Sequence, residues 1–184
     1  MDEPLDIDLR PFAPGDIDAL YFLLRRCSPP EAAPAFGALL STLLAPDTAA
    51  VVAELPGEVP PRLVGALVVH GAPWQAQAEV VGLLVHPDLR RQGLGRALMR
   101  WADRFARGFG WRQVTVLIAA DDAGGAAFLA ALGFAPLTES AAGVPRAPDG
   151  APTPGPGTDT AAPWLPDGAP ADRWRLTLDE DETP

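Results

Sequence analysis

The sequence predicts an α/β fold, a mixed central β-sheet flanked by helices, and three observations carry that reading. Strand-period runs open the chain and form a hairpin by residue 70. Strand and helix periods then alternate from residue 79 to residue 138. Two last strand runs bracket a stretch rich in Pro, Gly and Ala. Together these give a mixed sheet within one domain spanning residues 1–184, a length that supports one real core.

The elements follow in order. Leu5-Asp6-Ile7-Asp8-Leu9-Arg10 alternates apolar and charged residues, the period of a half-buried strand, and Pro11 to Gly15 break it. Asp16 opens an amphipathic helix through Ile17, Leu20, Leu23 and Leu24 that ends near Cys27. A second helix is expected over Glu31 to Leu44, with Pro34 in its first turn, where proline is tolerated. Ala49 to Leu55 and Leu63 to His70 are β-rich runs around a Pro-Gly turn and read as a hairpin. Glu79 to Val85 is a nearly all-apolar strand, hence one buried on both faces. Gly93 to Arg107 is an amphipathic helix with Leu94, Leu98, Trp101 and Phe105 on one face, Trp101 being expected in the core. Gln113 to Ala119 is a strand, Asp122 to Leu132 a helix closed by Gly133, and Phe134 to Thr138 a strand. Residues 141–170 form an insertion whose composition cannot fold independently, and Arg173 to Leu178 returns to strand alternation.

Composition excludes several chemistries. The chain is 48% apolar and carries a net charge of -10, the wrong balance for a general nucleic-acid binder. All 14 basic residues are arginines, so Schiff-base and phosphate-loop lysine chemistry is absent. The single cysteine, Cys27, rules out an internal disulfide, and with only His70 and His86 no metal site is expected. Cys27 itself reads as a small buried or half-buried thiol rather than a nucleophile. The acidic N-terminus shows no signal peptide and no apolar run approaches the roughly 20 residues of a membrane span, so a cytoplasmic protein without membrane contact is expected.

The informative segment is Val80 to Arg96, which reads as strand, glycine turn, helix. A helix N-terminus offers unpaired amide donors and the positive end of a dipole, and glycines there let a phosphate approach the backbone. Seven of the 14 arginines fall between Arg90 and Arg112, an island suited to a polyanionic ligand. The competing reading of such a run is a solvated basic helix face. Leu98 stands where the dinucleotide fingerprint needs its third glycine, and the absence of lysine removes the NTPase loop.

Arg90-Arg91-Gln92-Gly93-Leu94-Gly95 resembles the R/Q-x-x-G-x-G/A acetyl-CoA signature of the GNAT superfamily of N-acetyltransferases. The lead-in Leu84 to Leu89, the Gly133-Phe134 pair and the opening Ile7 to Ile17 resemble the same family, so that the likeness covers about residues 5 to 140 plus the last strand. The resemblance implies a single GNAT-like domain that uses acetyl-CoA as cosubstrate without a metal. It places the pyrophosphate on the amides of Gln92, Gly93, Gly95 and Arg96, with Arg90 and Arg91 alongside. It lays the pantetheine arm against the backbone of Leu83 and Val85, and brings the thioester carbonyl to a strand amide at Leu83 or Leu84, an effect worth about 3 kcal/mol in comparable sites.

The same resemblance implies direct attack by an amine, which needs a base because alkylamines are protonated near neutral pH. Glu79 is the candidate, at a register where some members carry a catalytic glutamate; the alternative is a solvated strand-end carboxylate. His70 is a second candidate, and His86 is expected to shape the turn. The tyrosine that the family often uses as general acid is replaced by Leu129, its frequent asparagine by Asp122 and its usual alanine by Gly125. Trp74 and the insertion residues Trp164 and Leu165 are candidates to face the acceptor.

The expected activity is therefore N-acetylation of a small-molecule or peptide amine, with net acidity favouring a cationic one and with a homodimer left open. The alternative is a catalytically silent acyl-CoA-binding or sensing module, supported by the missing tyrosine. A nucleic-acid-binding domain is disfavoured by the acidic remainder of the chain.

Overall fold

The structure, a computed structural model, describes residues 6–27, 35–57, 62–72, 76–137 and 171–178. Strands β1 (Asp8–Pro11), β2 (Thr48–Leu55), β3 (Arg62–Ala72) and β4 (Gln77–Val85) form an antiparallel run. β5 (Gln113–Ala119) lies parallel to β4, as a helical crossover demands. β6 (Ala135–Pro136) and β7 (Ala171–Thr177) complete a seven-stranded sheet in the order β1-β2-β3-β4-β5-β7-β6.

Helices cover both faces. α1 (Ile17–Cys27) and α2 (Ala35–Leu43) bury Leu20, Leu23, Leu24 and Leu39 against Val52, Val68, Val81 and Leu84. On the other face α3 (Leu94–Gly108) buries Leu94, Leu98, Met99 and Ala102 against Val51, Leu67, Val80 and Val116, with Leu129 of α4 (Ala123–Ala130) beside them. Each fully buried Leu or Val contributes roughly 1.5–3 kcal/mol relative to exposure, so these two clusters carry the fold.

The largely apolar β4 is buried on both faces, as its composition predicts, but it is not a regular strand. Val68 of β3 pairs with Gly82 while the next residue, Val69, pairs with Val80, so β4 carries one extra residue. The bulge shifts the alternation by one: Val80 faces the α3 side, Val81 and Leu84 the α1 side, and Leu83 and Val85 the α3 side again.

Several details differ from the sequence reading, among them the first strand, which begins at Asp8. The run Phe134 to Thr138 yields a strand only at Ala135–Pro136, at the edge of the sheet, where the Leu137 amide still donates to the Arg173 carbonyl at 2.8 Å and Pro136 is tolerated because its nitrogen faces away from β7; Thr138 lies outside the described residues. The fourth helix is shorter than Asp122 to Leu132, with Asp122 as its cap. Trp101 sits at the margin of the core rather than inside it, half-buried and stacked on Phe105 at 4.9 Å. Residues 31–34 of the second helix and the 141–170 insertion lie outside the described residues.

Arg10 ties the entry of the chain to the sheet. Its guanidinium donates to both carboxylate oxygens of Asp16, at 2.6 and 2.7 Å, and to Glu54. Asp16 also accepts from the Ala13 amide at 2.8 Å, so one carboxylate caps the first turn and anchors β1. The bond to Arg10 holds the Asp16 carboxyl below its ordinary value, against the opposing effect of burial. A carboxyl depressed in the folded state contributes stability at neutral pH that is lost as pH falls through that lowered value. Arg10→Ala should therefore lower stability by about 1–3 kcal/mol at pH 7, a range that allows for the partial exposure of the pair. Urea melts should show this gap closing as the solution is taken below about pH 4.

Candidate active site

β4 and β5 pair for four residues only, from Gln77↔Gln113 to Val80↔Val116, and the ladder then stops. β4 runs on to Val85 with β3 on one side. The His86 amide donates to Val64 at 2.8 Å, which makes residue 86 a hydrogen-bonded position and turns the backbone groups of Val85, and of Leu83 two residues earlier, away from β3. The Val85 carbonyl bears this out: it accepts from Cys27 Sγ at 3.3 Å and from Arg90 Nε at 3.4 Å, neither of them a strand neighbour. An open backbone edge thus lies inside the sheet, along the two residues where sequence reasoning placed the pantetheine contacts.

The edge runs into the glycine turn. His86 leads into a short 3-10 turn, Pro87–Leu89, and its Nδ1 accepts from the Asp88 amide at 3.3 Å. Burial, then the nearby Arg62, keeps His86 below its ordinary pKa, so it shapes the turn as a neutral ring. Arg91 and Gly93 both take left-handed backbone, φ +66° and +87°. Gly93 is the N-cap of α3 without a side-chain cap, and the first bond back to it comes from Ala97 at 3.0 Å. The amides of Leu94, Gly95 and Arg96 therefore have no partner within the helix. The two glycines differ in role. A Cβ on Gly93 would meet open space, whereas one on Gly95 would stand 3.3 Å from Phe128 of α4 and 3.7 Å from Val85. Gly95 is small so that α3 and α4 can close on β4; Gly93 supplies the left-handed turn.

The arginine island is assembled differently in space than in sequence. At 1.5 Å per residue, Arg107 lies about 20 Å along α3 from the turn, and it pairs with Asp103 at 3.1 Å. Arg112, beyond the end of α3, is likewise remote from the turn. Arg90, Arg91 and Arg96 remain at the turn, and Arg25, Arg26 and Arg62 join them behind it, lining with His86 a cleft of about 740 Å³. The sequence offered no signal for this second set, because its members come from α1 and β3.

Glu79 sits opposite His70 on β3 and Thr115 on β5. Its neighbours Ala78 and Val80 belong to the α3-side core, so its carboxylate projects to the other face, below the level where β4 and β5 part. Glu79 is half-buried, not a solvated strand-end carboxylate. Burial pushes its pKa above the ordinary value, partly offset by Arg173 and His70. Thr48 Oγ1 lies 3.1 Å from His70 Nδ1 and fixes that ring.

Leu129, at the expected tyrosine position, is 2% exposed and packed in the α3-side core. Asp122 and Gly125 form one unit: the Asp122 carboxylate accepts from the Gly125 amide at 2.8 Å, and a Cβ on Gly125 would collide with that carboxylate. Cys27 is half-buried, as expected, and burial raises its thiol pKa. Trp74, Trp164 and Leu165 lie outside the described residues. Among the described residues no cluster of His, Cys, Asp and Glu could hold a metal, and no helix is long and apolar enough to cross a membrane.

The model of the acetyltransferase (GNAT) family matches residues 17–134, well over half of the chain. The chain belongs to the GNAT family of acetyltransferases. Solved structures agree in fold. The ribosomal-protein-S18-alanine N-acetyltransferase from Escherichia coli is 18% identical, with a TM-score of 0.65 over 97% of this chain and 99% of that one. The PaiA N-acetyltransferase from Thermoplasma acidophilum in complex with coenzyme A is 14% identical, with a TM-score of 0.66 over 94% and 99%. A tandem GNAT protein from the clavulanic acid biosynthesis pathway is 31% identical, with a TM-score of 0.58 over 70% of this chain and 44% of that one. No curated protein matches the sequence. The GNAT family uses acetyl-CoA. An extended, amide-bearing arm that ends in a diphosphate fits the donor set here, an open strand edge ending at an uncapped helix N-terminus.

Two outcomes follow from this geometry. Gly93→Ala should cost about 1–2 kcal/mol of stability through its left-handed backbone, measured by thermal melting, and should weaken coenzyme binding in calorimetry. Because Cys27 touches the Val85 carbonyl, saturating coenzyme A should slow alkylation of Cys27 by a maleimide at least several-fold; an unaltered labelling rate places the arm elsewhere.

Proposed function

We propose that this GNAT protein transfers the acetyl group of acetyl-CoA to a primary amine by direct attack, with Glu79 as general base. The observation that carries the reading is the break in the β4–β5 ladder after Val80, which opens a backbone edge directly beyond Glu79 and leads it to the uncapped turn at Gly93. Acetyl-CoA supplies the activated acyl group. Leu83 and Val85 hold its arm through backbone groups, and Gln92, Gly93, Gly95 and Arg96 receive its diphosphate on their amides, with Arg90 and Arg91 screening the charge. Of the two amides implicated at the carbonyl, Leu83 is favoured over Leu84, because Leu84 sits at a position that bonds to β3. The amine nitrogen gains the acetyl group as the C–S bond breaks. Its proton passes to the Glu79 carboxylate, and the thiolate leaves into solvent without a tyrosine to protonate it. The burial that raises the Glu79 pKa makes it a stronger base than an exposed carboxylate.

Titration calorimetry with acetyl-CoA, followed by a thiol-release assay over an amine panel, tests this. The rate should rise with pH as Glu79 ionises, and Glu79→Gln should remove that limb; an identical profile takes Glu79 out of the role. Arg91→Ala should raise the acetyl-CoA KM about 3- to 10-fold with a smaller change in kcat. A second reading, a silent acyl-CoA-binding module, is favoured by the burial of Leu129 where the family places a tyrosine. Tight coenzyme binding with no turnover on any amine selects it.

A further inference from the structure

We propose that the acceptor is an amine that also carries a carboxylate, an amino acid or a similar short amino-carboxylate, and that Arg173, assisted by Arg175, receives that carboxylate. This rests on the N-acetyltransferase reading and narrows its substrate.

The placement comes from strand register. Trp174 and Leu176 of β7 pack against the α3-side core, so Arg173 and Arg175 project from the opposite face. That is the face of Glu79 and His70. Glu79 pairs with Thr115, and Thr115 with Arg175, so His70, Glu79, Thr115 and Arg175 form one row across four strands. Arg173 pairs with Leu117, the first β5 residue beyond the last rung with β4. It therefore stands at the level where the sheet opens, two strands or about 10 Å across from β4, a gap that an arginine side chain bridges in part. Its charge is felt at Glu79.

Both arginines are exposed, and none of the salt bridges among the described residues uses either of them. Elsewhere Arg10 and Arg107 are matched to carboxylates. In a chain of net charge -10, two guanidinium groups beside the candidate base, neither paired with a carboxylate among the described residues, form a local field of the opposite sign. A planar guanidinium pairs with a carboxylate in two parallel hydrogen bonds. A polyamine or aminoglycoside would meet repulsion there. The site's charge thus runs against the expectation of a cationic acceptor drawn from overall acidity: base on one side for the amine, cations on the other for its carboxylate.

The test is a kinetic comparison of alanine, alaninamide, ethylamine and a short diamine on wild-type protein and on Arg173→Gln, Arg173→Lys and Arg173→Glu, with acetyl-CoA binding confirmed by calorimetry for each. Wild type should favour alanine over its amide by about 10- to 100-fold in kcat/KM, the worth of a charge-assisted bond. Arg173→Gln should collapse that ratio through KM, Arg173→Lys should restore part of it, and Arg173→Glu should turn the preference toward the diamine. Equal use of amide and acid by wild type, or an unaltered ratio in Arg173→Gln, overturns the assignment while leaving the transferase reading in place. Bound acetyl-CoA with no acetylation of any amine overturns both.

Discussion

A β-strand inside a sheet needs partners for its backbone donors and acceptors, and the proposed site is built at the place where one strand loses its neighbour on one side. β4 is held by β5 for four rungs and is then abandoned on that side while it runs on to Val85. Water or a ligand must complete the edge. The Cys27 thiol and the Arg90 side chain both donate to the Val85 carbonyl, which shows that this carbonyl points away from β3 and is reachable from outside the sheet. A ligand with amides at strand spacing satisfies that edge, and one with a diphosphate at its end satisfies the α3 terminus that follows.

The bulge in β4 makes this geometry usable. One extra residue between the partners of Val68 and Val69 turns Leu83 and Val85 toward α3 while Glu79, on the other side of the irregularity, faces the opposite surface. The candidate base and the candidate ligand-binding edge thereby share one strand without sharing one face. Charge follows a similar economy. His86 is kept neutral beneath the turn by burial and by Arg62, so the positive field comes from arginines whose charge does not vary with pH.

Much of this was legible in the residues. The apolar run at Glu79–Val85, the glycines at 93 and 95 and the alternation of Trp174 with Leu176 are local patterns, and local patterns survive folding. The split between β4 and β5 was not legible, because register between distant strands is set by packing and leaves no local trace. For the same reason the arginines behind the turn were hidden: sequence proximity credited the site with Arg107 and Arg112, whereas helix length carries them away and α1 and β3 bring Arg25, Arg26 and Arg62 instead. The short β6 shows the converse, a strand-like pattern that the fold uses only as a two-residue edge pairing at Ala135–Pro136.

The Asp122–Gly125 pair reaches beyond mechanism into how such a site can vary. The Asp122 carboxylate in this position requires the bare glycine beneath it, whereas the glycine does not require the carboxylate. Adding a methyl at 125 first crowds the acid, whereas trading the acid for a smaller cap first leaves room for it. The route between this cap and an alanine-bearing one is therefore directional: one intermediate is passable and the other is penalised, so the order of change is built into the helix start.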